Sequence, residues 1–381
     1  MEVSIQRSVS DSGLLGEEAC GLPATFAAAV APAVRAVPTR RRRIMHVILS
    51  RGFAGSERAA AEACNALAAD HDVSIVIRSD HRSDGGASIR DYLAATVEVF
   101  EVPAYWLTRR RLAETVRAWH PDVLHTHLRR GTRYVAQIGA GVQHVCTLHK
   151  DLNGPHYLLA DTIFCISEWQ LHTIPAHYRG HVALLPNSLV PEPRLDRESV
   201  RRLRAGIGAG DDDFVIGGVG RLARSKGFEV LIEAFLAGDL AGAKLVIVGE
   251  GSERRRLEQL ARGRAVFTGF RSDAKRLMQA MDLFVCPSHV EPFGRVIVEA
   301  LDAGTPVIAT DAAGPTDIAR RLPVEIVSAN DVGALASALE RAARLPRRRV
   351  PSDLSEFLID SVTTRLAAAY EDVLVRSLSP C

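Results

Sequence analysis

Short apolar runs alternate with helical stretches along most of the chain, and this alternation constrains the fold more than any other feature. Strands alternating with helices imply parallel sheets covered on both faces. The sequence therefore predicts an α/β fold with two doubly wound, Rossmann-like domains facing each other across a cleft. Strands are predicted at 44–50, 73–77, 97–102, 122–127, 144–148, 162–166, 182–186, 214–219, 244–248, 265–268, 282–286, 305–309 and 324–327. Helices are predicted at 55–70, 108–119, 168–175, 227–237, 252–262, 272–281, 293–303, 331–343 and 353–376.

The predicted domain boundaries follow from the same pattern, since 381 residues fit two domains. One domain is expected over 44–190, a second over 191–355 after a proline-rich break, and a C-terminal helix over 356–381 that packs back toward the first domain. Residues 1–43 are expected to be a disordered extension, or the chain naturally starts at Met45. Membrane or partner binding by the run Arg40–Arg43 is the remaining alternative. A secretory signal is not favoured, because the apolar stretch precedes these charges.

Composition excludes several classes of protein. The formal net charge of +2 gives no general attraction to nucleic acid. No apolar run approaches the roughly 20 residues of a membrane span. The six cysteines form no CxxC and no zinc-finger spacing, which favours a reduced, cytoplasmic location.

The segment 287–304 carries two acids, Glu291 and Glu299, with Pro292 after the first. Proline tolerates a first helical turn, so a helix is expected over 293–301. This helix is apolar on nearly every side, so Glu299 is expected to be buried and to need a partner. Helical rise puts the two carboxylates about 12 Å apart, with free backbone N–H groups between them. One helix can thus meet the sugar, phosphate and ribose of a nucleotide-sugar.

The turn that opens the second domain combines Gly218-x-Gly220-x-x-Ala223 with the cations Arg221 and Lys226. The glycine pattern alone is a weak dinucleotide signal. Arginine offers a fork and lysine a point charge, a pair suited to a diphosphate leaving group. The alternative is a pair of solvated surface cations.

Two further strand ends lie on the expected cleft side, because ligands of open α/β sheets bind beyond the carboxyl ends of strands. Glu250 lies in the first, which is equally consistent with a helix-entry turn capped by Ser252. Phe270 and Arg271 follow the second, and Phe270 is either a base-stacking ring or a core residue.

In the first domain, Gly55 opens a helix after a strand and lets the backbone approach a phosphate, although Ser56 can be a plain helix cap. His127 and His149 end neighbouring strands, so both are cleft candidates, whereas a lone histidine is more often structural. Metal binding by these histidines lacks an acidic ligand nearby.

Charge runs are expected to be mostly solvated. The arginines 109–111, 129, 130 and 133 can meet an anionic acceptor or a membrane surface, and a solvated face is the favoured alternative. The acidic run Asp211–Asp213 precedes its strand, at the wrong end for the cleft, and is expected to be a polar turn.

Together these segments resemble the family 4 retaining glycosyltransferases of the GT-B fold (glycosyl transferases group 1). The resemblance is strongest over 214–317, in GGVGRLARSKG, LVIVGEGSE, VFTGF and EPFGRVIVEALDAGTPVIAT, and extends to 44–190 through GFAGSERA, DVLHTH, TLH and LLPNS. Departures from the family pattern remove no charged group; they are Ala54-Gly55, Asn187-Ser188 and Gly314-Pro315-Thr316.

The resemblance implies a metal-independent hexosyltransferase, without a cofactor, that moves a sugar from a nucleotide-diphosphate sugar to an acceptor hydroxyl with retention. The first domain would then be the acceptor side and the second the nucleotide-sugar side. The implied catalytic residues are His127, Glu291, Arg221 and Lys226. The implied donor-binding residues are Gly55, Arg221, Lys226, Glu250, Phe270, Arg271, Glu291, Phe293, Gly294, Arg295, Val296 and Glu299. The acceptor-side candidates are His127, His149 and Arg129.

The implied partners are a nucleotide-sugar donor and a glycan or glycolipid acceptor of bacterial polysaccharide or lipopolysaccharide synthesis, with peripheral contact at the inner membrane face and no nucleic acid. Three alternatives remain open. They are a sugar-nucleotide epimerase on the same scaffold, a nicotinamide-dependent enzyme that uses Gly218-x-Gly220, and a non-catalytic binding module.

Overall fold

Two entirely parallel sheets form the frame of the computed structural model, which describes residues 40–82 and 88–378. The strands of the first sheet are β1 (Arg43–Ile48), β2 (Asp72–Arg78), β3 (Glu98–Val102), β4 (Val123–His127), β5 (Gln143–Leu148), β6 (Thr162–Cys165) and β7 (His181–Leu184). Those of the second are β8 (Phe214–Val219), β9 (Ala243–Val248), β10 (Ala265–Gly269), β11 (Leu283–Cys286), β12 (Val307–Thr310) and β13 (Val324–Val327). The strand orders are β3-β2-β1-β4-β5-β6-β7 and β10-β9-β8-β11-β12-β13. The predicted doubly wound α/β fold is confirmed.

Helices cover the sheets. They are α1 (Gly55–Leu67), α2 (Thr108–Trp119), α3 (Leu128–Ile138), α4 (Glu168–Leu171), α5 (Arg197–Gly206), α6 (Phe228–Ala237), α7 (Arg254–Ala261), α8 (Ala274–Met278), α9 (Arg295–Asp302), α10 (Ala313–Ala319), α11 (Val332–Arg344) and α12 (Ile359–Leu378). Short 3-10 turns occupy Ile89–Tyr92, Pro155–Leu159, Arg224–Lys226 and Ser355–Phe357. Every predicted helix is present, α2 with the predicted bounds and the others with shifted ends, whereas α3, α5 and α10 were not predicted.

The chain passes between the two sheets twice, and the two passages touch. The amide of Leu189 donates to the carbonyl of Phe357 (2.6 Å), and the amide of Ile359 donates to the carbonyl of Leu189 (2.8 Å). After the second passage α12 returns to the first sheet. There Leu366 and Tyr370 join the apolar core that lies between that sheet and α1.

The arginine run at the start of β1 belongs to the folded part of the chain. Arg42 forms a two-pronged ion pair with Glu371 of α12, with N–O distances of 2.7 and 2.5 Å. The Arg43 guanidinium lies 4.4 Å from the ring centre of Trp119. The expectation that the whole of 1–43 is an extension is therefore wrong for Arg42 and Arg43, because these side chains bind α12 and α2. Residues 1–39 lie outside the described part of the chain.

Two composition-based expectations can be checked on residues 40–82 and 88–378. No helix there is both long enough and apolar enough to cross a membrane. The cysteines in this part are buried thiols without disulfides, and they are Cys64, Cys146, Cys165 and Cys286.

Candidate functional site

The carboxyl ends of the two sheets meet at the segment that joins β11 to α9. Ser167 Oγ, just before α4, and Trp169 Nε1, in α4, donate to the carbonyl of Pro292 at 2.7 and 2.9 Å. The Trp169 amide donates to the Asp317 carboxylate of α10 at 2.9 Å. Since ligands of such sheets bind at this edge, this contact marks one wall of the candidate site.

The α9 helix begins at Arg295, not at Phe293 as predicted. Gly294 adopts φ 100°, a conformation that only glycine enters readily, and it breaks the backbone just before the helix. The predicted separation of about 12 Å between the Glu291 and Glu299 carboxylates assumed one continuous helix. Because the chain is not helical from Glu291 to Gly294, that assumption does not hold. The first amides of α9, those of Arg295 and Val296, have no intrahelical acceptor. An anion fits such a place.

Glu291 and Lys226 form a close ion pair across this edge. Lys226 Nζ lies 2.6 Å from Glu291 Oε2, and both side chains are largely buried. Lys226 ends a 3-10 turn and is followed by Gly227 at φ 61°, where a Cβ would lie 2.0 Å from the carbonyl oxygen of Pro287. Because glycine has no Cβ, this turn can pack directly against Pro287, the residue that follows β11. The lysine is thereby held beside the carboxylate.

Arg221 lies two residues beyond the end of β8 on the same edge, and its side chain is exposed. Within the described residues its guanidinium forms no hydrogen bond or ion pair. The residue before it, Gly220, packs closely against Gly249, because a Cβ on Gly249 would lie 1.9 Å from the carbonyl oxygen of Gly220. An unpaired arginine and a half-buried lysine that follow the same strand can together neutralise a diphosphate.

Glu299 is buried, as expected, and its partner is Arg295 of the same helix. Arg295 Nη2 lies 3.7 Å from Glu299 Oε1 and 2.8 Å from Glu62 Oε2 of α1. Burial by itself lowers the pKa of Arg295, but the two carboxylates outweigh it and raise the pKa on balance. The Glu62–Arg295–Glu299 triad therefore links the first half to Glu299, one of the donor-binding residues that the family resemblance implies.

The remaining donor-side candidates, Glu250, Phe270 and Arg271, differ in whether their side chains are free to contact a ligand. Glu250 pairs with Arg254 of α7, and Glu253 rather than Ser252 caps that helix, so the predicted cap is wrong. The Phe270 side chain is 52% exposed, which excludes the alternative of a core phenylalanine. Arg271 is held by Asp273 in a two-pronged pair at 2.7 and 2.6 Å, a contact that a ligand would have to displace.

On the first-half side, Gly55 opens α1 opposite α9, and a Cβ there would lie 3.8 Å from Arg295 Cδ. Ser56 is not the helix cap. Ala54 is the capping residue, and its amide donates to the Glu57 carboxylate at 3.0 Å. The close approach expected of a glycine at this position is therefore made toward a side chain of the opposite half.

His127 and His149 are buried and bonded to each other, His127 Nδ1 to His149 Nε2 at 2.9 Å. The other nitrogen of His127 lies 2.9 Å from Nδ1 of His46 on β1. Burial lowers the pKa of His127 well below its usual value and that of His149 to about 3, where the Arg295 charge also contributes. All these rings are therefore neutral near pH 7. Leu128, which follows His127, has φ 62°, an unusual strain for a leucine beside a candidate site.

Nitrogens of His46, His125 and His127 lie within 4.8 Å of one another, close enough to suggest a metal centre. Both nitrogens of His125, however, have protein partners, the Tyr370 hydroxyl at 2.6 Å and Thr147 Oγ1 at 2.7 Å. A metal would have to displace one of these bonds. The residues fit a hydrogen-bonded network better than a metal centre.

The arginine clusters and the acidic run are mostly bound to their own surroundings. Arg110 and Arg111 pair with Glu114 on the exposed face of α2. Arg129 is exposed, and its Nε would lie 3.2 Å from a Cβ on Gly154. The run 211–213 forms a turn before β8, where the amide of Gly210 donates to Asp213 Oδ2 at 2.8 Å.

Sequence reasoning missed three residues of this edge: His46, Glu62 and Trp169. His46 is hidden in an apolar strand, and Glu62 is an ordinary polar position on a helix. Their contacts join residues more than 80 positions apart, as with His46–His127 and Glu62–Arg295. The signal available for His46 was its place on the same strand face as the predicted histidines.

Comparison with known proteins gives consistent matches. The family model described as glycosyl transferases group 1 matches residues 199–354, and that of glycosyltransferase family 4 matches residues 53–192. The lipopolysaccharide core biosynthesis glycosyltransferase LpsD of Rhizobium meliloti is 27% identical over 293 residues, which are 72% of this chain and 81% of LpsD. LpsE of the same organism, with the same description, is 39% identical over 117 residues, which are 29% of this chain and 34% of LpsE. The crystal structure of Anabaena Alr3699/HepE in complex with UDP-glucose superimposes with a TM-score of 0.69 at 21% identity, covering 89% of this chain and 99% of that one.

Proposed function

We propose a donor, a reaction and an acceptor for this chain, which belongs to the group 1 glycosyltransferases of family 4 and has the GT-B fold. The donor is a hexose carried on a nucleoside diphosphate, UDP or GDP. The reaction transfers the hexose to an acceptor hydroxyl with retention of the anomeric configuration. The product belongs to lipopolysaccharide core or a related cell-surface glycan.

One observation supports the donor most directly: the Lys226–Glu291 ion pair, the unpaired guanidinium of Arg221 and the first amides of α9 all follow β8 or β11, which are neighbouring strands. The cations and amides suit a diphosphate, and the Glu291 carboxylate suits sugar hydroxyls. As the bond to the anomeric carbon breaks, charge develops on the leaving diphosphate. Groups already positioned to stabilise that charge supply the largest part of catalysis.

Metal independence is part of the proposal. Lys226, Arg221 and the α9 amides provide the positive charge that a divalent ion would otherwise supply to the leaving group. The Asp211–Asp213 run precedes β8, at the opposite end of that strand from Arg221. No acidic cluster is thus needed beside the diphosphate.

The acceptor assignment rests on the relatives, since LpsD and LpsE are described as lipopolysaccharide core biosynthesis enzymes. An exposed aromatic tip supports a lipid-linked acceptor. Tyr105 and Trp106 are 74% and 87% exposed in the loop after β3, next to the arginines of α2. Aromatic rings beside cations suit the surface of an anionic membrane. The proposed location is therefore cytoplasmic, with peripheral contact at the inner membrane.

The decisive experiment measures sugar transfer from a panel of UDP- and GDP-hexoses to truncated lipopolysaccharide core, with the anomeric configuration of the product read by NMR. Lys226→Ala and Glu291→Ala are expected to lower turnover by orders of magnitude while keeping the fold. Lys244→Ala, at the other end of the second sheet, is the matched control and should leave turnover unchanged. Wild-type rates in both site variants would refute the assignment.

Incubation with nucleotide-sugar alone separates the competing enzymes. Hydrolysis or no reaction is expected. An epimerised sugar would replace the transferase proposal with an epimerase, and tight NADH binding without competition from UDP would favour the nicotinamide alternative.

A further inference from the structure

Three arginines occupy the first two turns of α3 without an acidic partner. Arg129, Arg130 and Arg133 form no ion pair with any residue that the structure describes, and α3 itself contains no acidic residue. Their spacing brings Arg129 and Arg133, at i and i+4, to one face of the helix, and Arg130 lies beside Arg133 at i+3. The start of a helix carries a partial positive charge and favours acids, so this α3 arginine cluster is electrostatically unfavourable by itself. A bound anion would relieve the repulsion.

Two loops of the first half hold the α3 arginine cluster in place. Arg130 Nη2 donates to the carbonyl of Ala104, in the loop after β3, at 2.8 Å. Arg129 Nε would lie 3.2 Å from a Cβ on Gly154, in the loop after β5. The cluster thus lies between these loops, and its side chains would lose less conformational freedom on binding a ligand than free surface arginines would.

Most of the guanidinium donors of the cluster are left for a ligand. The Arg133 guanidinium lies 5.1 Å from the ring centre of Tyr134, and its Nε is buried without a hydrogen-bond acceptor in the described part of the chain. Burial raises the pKa of Tyr134, but the nearby Arg130 and Arg133 outweigh it and lower the pKa on balance. The cluster therefore combines free N–H donors with a local positive charge, and both suit an anion.

The cluster lies at the edge of the first sheet where ligands of open α/β sheets bind. The α3 helix follows the carboxyl end of β4 directly, and Arg129 is two residues beyond His127. Leu128, between them, has φ 62°, and strain of this kind concentrates at functional sites. The proposed donor site uses the cations Arg221 and Lys226 of the second half, so the α3 arginine cluster is available to a different anion.

We propose that the α3 arginine cluster binds a phosphate group on the acceptor saccharide, so that the enzyme selects phosphorylated acceptors. This proposal rests on the proposed transferase function and adds the chemical class of its acceptor. Guanidinium forks match phosphate oxygens, and a phosphate monoester carries nearly two negative charges against the three positive charges of the cluster. A charged group held by a fixed cluster also limits the orientations that the acceptor can adopt.

Steady-state sugar transfer to two water-soluble acceptor oligosaccharides that differ only in one phosphate tests this selection. We expect the wild type to prefer the phosphorylated acceptor by about 10- to 100-fold in kcat/KM, mainly through a lower KM. The variant Arg129→Gln/Arg130→Gln/Arg133→Gln (the α3 variant) should show almost no preference. An undiminished preference in an α3 variant that is folded by circular dichroism would refute the proposal. So would equal kcat/KM for the two acceptors in the wild type.

A matched control removes the same number of charges from another helix. Arg197→Gln/Arg201→Gln/Arg202→Gln replaces three exposed arginines in the first two turns of α5. This control variant should keep the full preference for the phosphorylated acceptor. An equal loss of preference in the two triple variants would assign the effect to net charge alone and would contradict a specific site.

Binding of a sugar phosphate tests the cluster without turnover. Ligand-observed NMR with glucose 6-phosphate and glucose as matched probes should show binding of the phosphate alone to the wild type, and binding at least about 10-fold weaker to the α3 variant. Loss of this binding in Lys226→Ala, with none in the α3 variant, would place the phosphate in the donor site and overturn the proposal. A wild type that binds the phosphate through the cluster but transfers no sugar would retain the anion site and reject the proposed function instead.

Vesicles distinguish a phosphate of the saccharide from a phosphate of a lipid headgroup. On vesicles of phosphatidylglycerol and phosphatidylcholine, we expect the α3 variant to bind as the wild type does, and Tyr105→Ala/Trp106→Ala to bind more weakly. Loss of vesicle binding in the α3 variant, with an unchanged preference between the soluble acceptors, would assign the cluster to the membrane and end the case for an acceptor site.

Discussion

Lowering the pH from about 7.5 to about 5.5 should strongly destabilise the first half of the protein, because buried histidines there cannot take up protons while it stays folded. Burial lowers the pKa of His46 and His149 to about 3 and that of His144 to about 4. Burial also lowers the pKa of His125 and His127 well below the usual value. In the unfolded chain all five titrate near pH 6.5.

The sign follows from proton binding. Below about pH 6.5 the unfolded chain binds more protons than the folded one, so stability falls as pH falls toward the folded pKa values. Each histidine contributes about 1.4 kcal/mol as the pH falls from 7.5 to 5.5, and five contribute about 7 kcal/mol over this interval. The total free energy of unfolding of a folded protein is about 5–15 kcal/mol. Unfolding in mild acid is the expected result.

The assay is proton uptake during urea unfolding in weakly buffered solution near pH 5.5, alongside urea midpoints across the pH range. About four to five protons per chain are expected from these rings. His144→Gln, which can still bond to Thr126, should lower the uptake by about one proton. The exposed His177→Gln should not change it. Uptake of fewer than about two protons in the wild type would refute the reasoning, because the rings would then be protonated in the folded state.

Three further outcomes are expected. Gly227→Ala should lose about 2 kcal/mol more stability than Gly242→Ala, since both have positive φ but only Gly227 faces a carbonyl at 2.0 Å; equal thermal shifts would contradict this. Glu62→Gln should open the cleft, because it breaks the buried ion pair with Arg295. The opening would be measured as a larger radius of gyration by X-ray scattering. The control is Glu258→Gln on an exposed helix face, which should leave the radius unchanged. An unchanged radius would contradict the role given to the Glu62–Arg295 pair. Turnover should persist in EDTA after dialysis, and loss restored by a divalent ion would overturn metal independence.

The sheets could be predicted because each short buried strand is recognisable from its own apolar run in the sequence, as the run from Ile44 to Ile48 shows. Three helices could not. The α3 segment has Arg129 and Arg130 in its first turn, followed by Gly131, and this sequence resembles a basic loop. Gly131 is required because a Cβ there would lie 2.8 Å from the carbonyl oxygen of Val47, so the helix packs directly on β1. A close approach of this kind depends on the tertiary structure, and local propensity does not register it.

Single residues of the candidate site could be predicted from the sequence, but the contacts between them could not. Lys226 and Glu291 could each be placed at a strand end from the local pattern, but their contact joins positions 65 apart. The role of His46 depends on two other strands, so a single apolar strand does not reveal it. The start of α9 was misplaced because proline signals a helix start, while Gly294 breaks the backbone two residues later.

The return of α12 to the first sheet has a consequence for biosynthesis. On the ribosome the amino-terminal half emerges first, and domains usually fold in that order. Here Tyr370 and Leu366 of α12 seal a core whose buried members outside α12 were translated more than 180 residues earlier, such as Phe164 and Ile48. The earlier half must wait, with one flank of its sheet bare, until synthesis is almost complete, and it is during this interval that a nascent-chain chaperone would be needed.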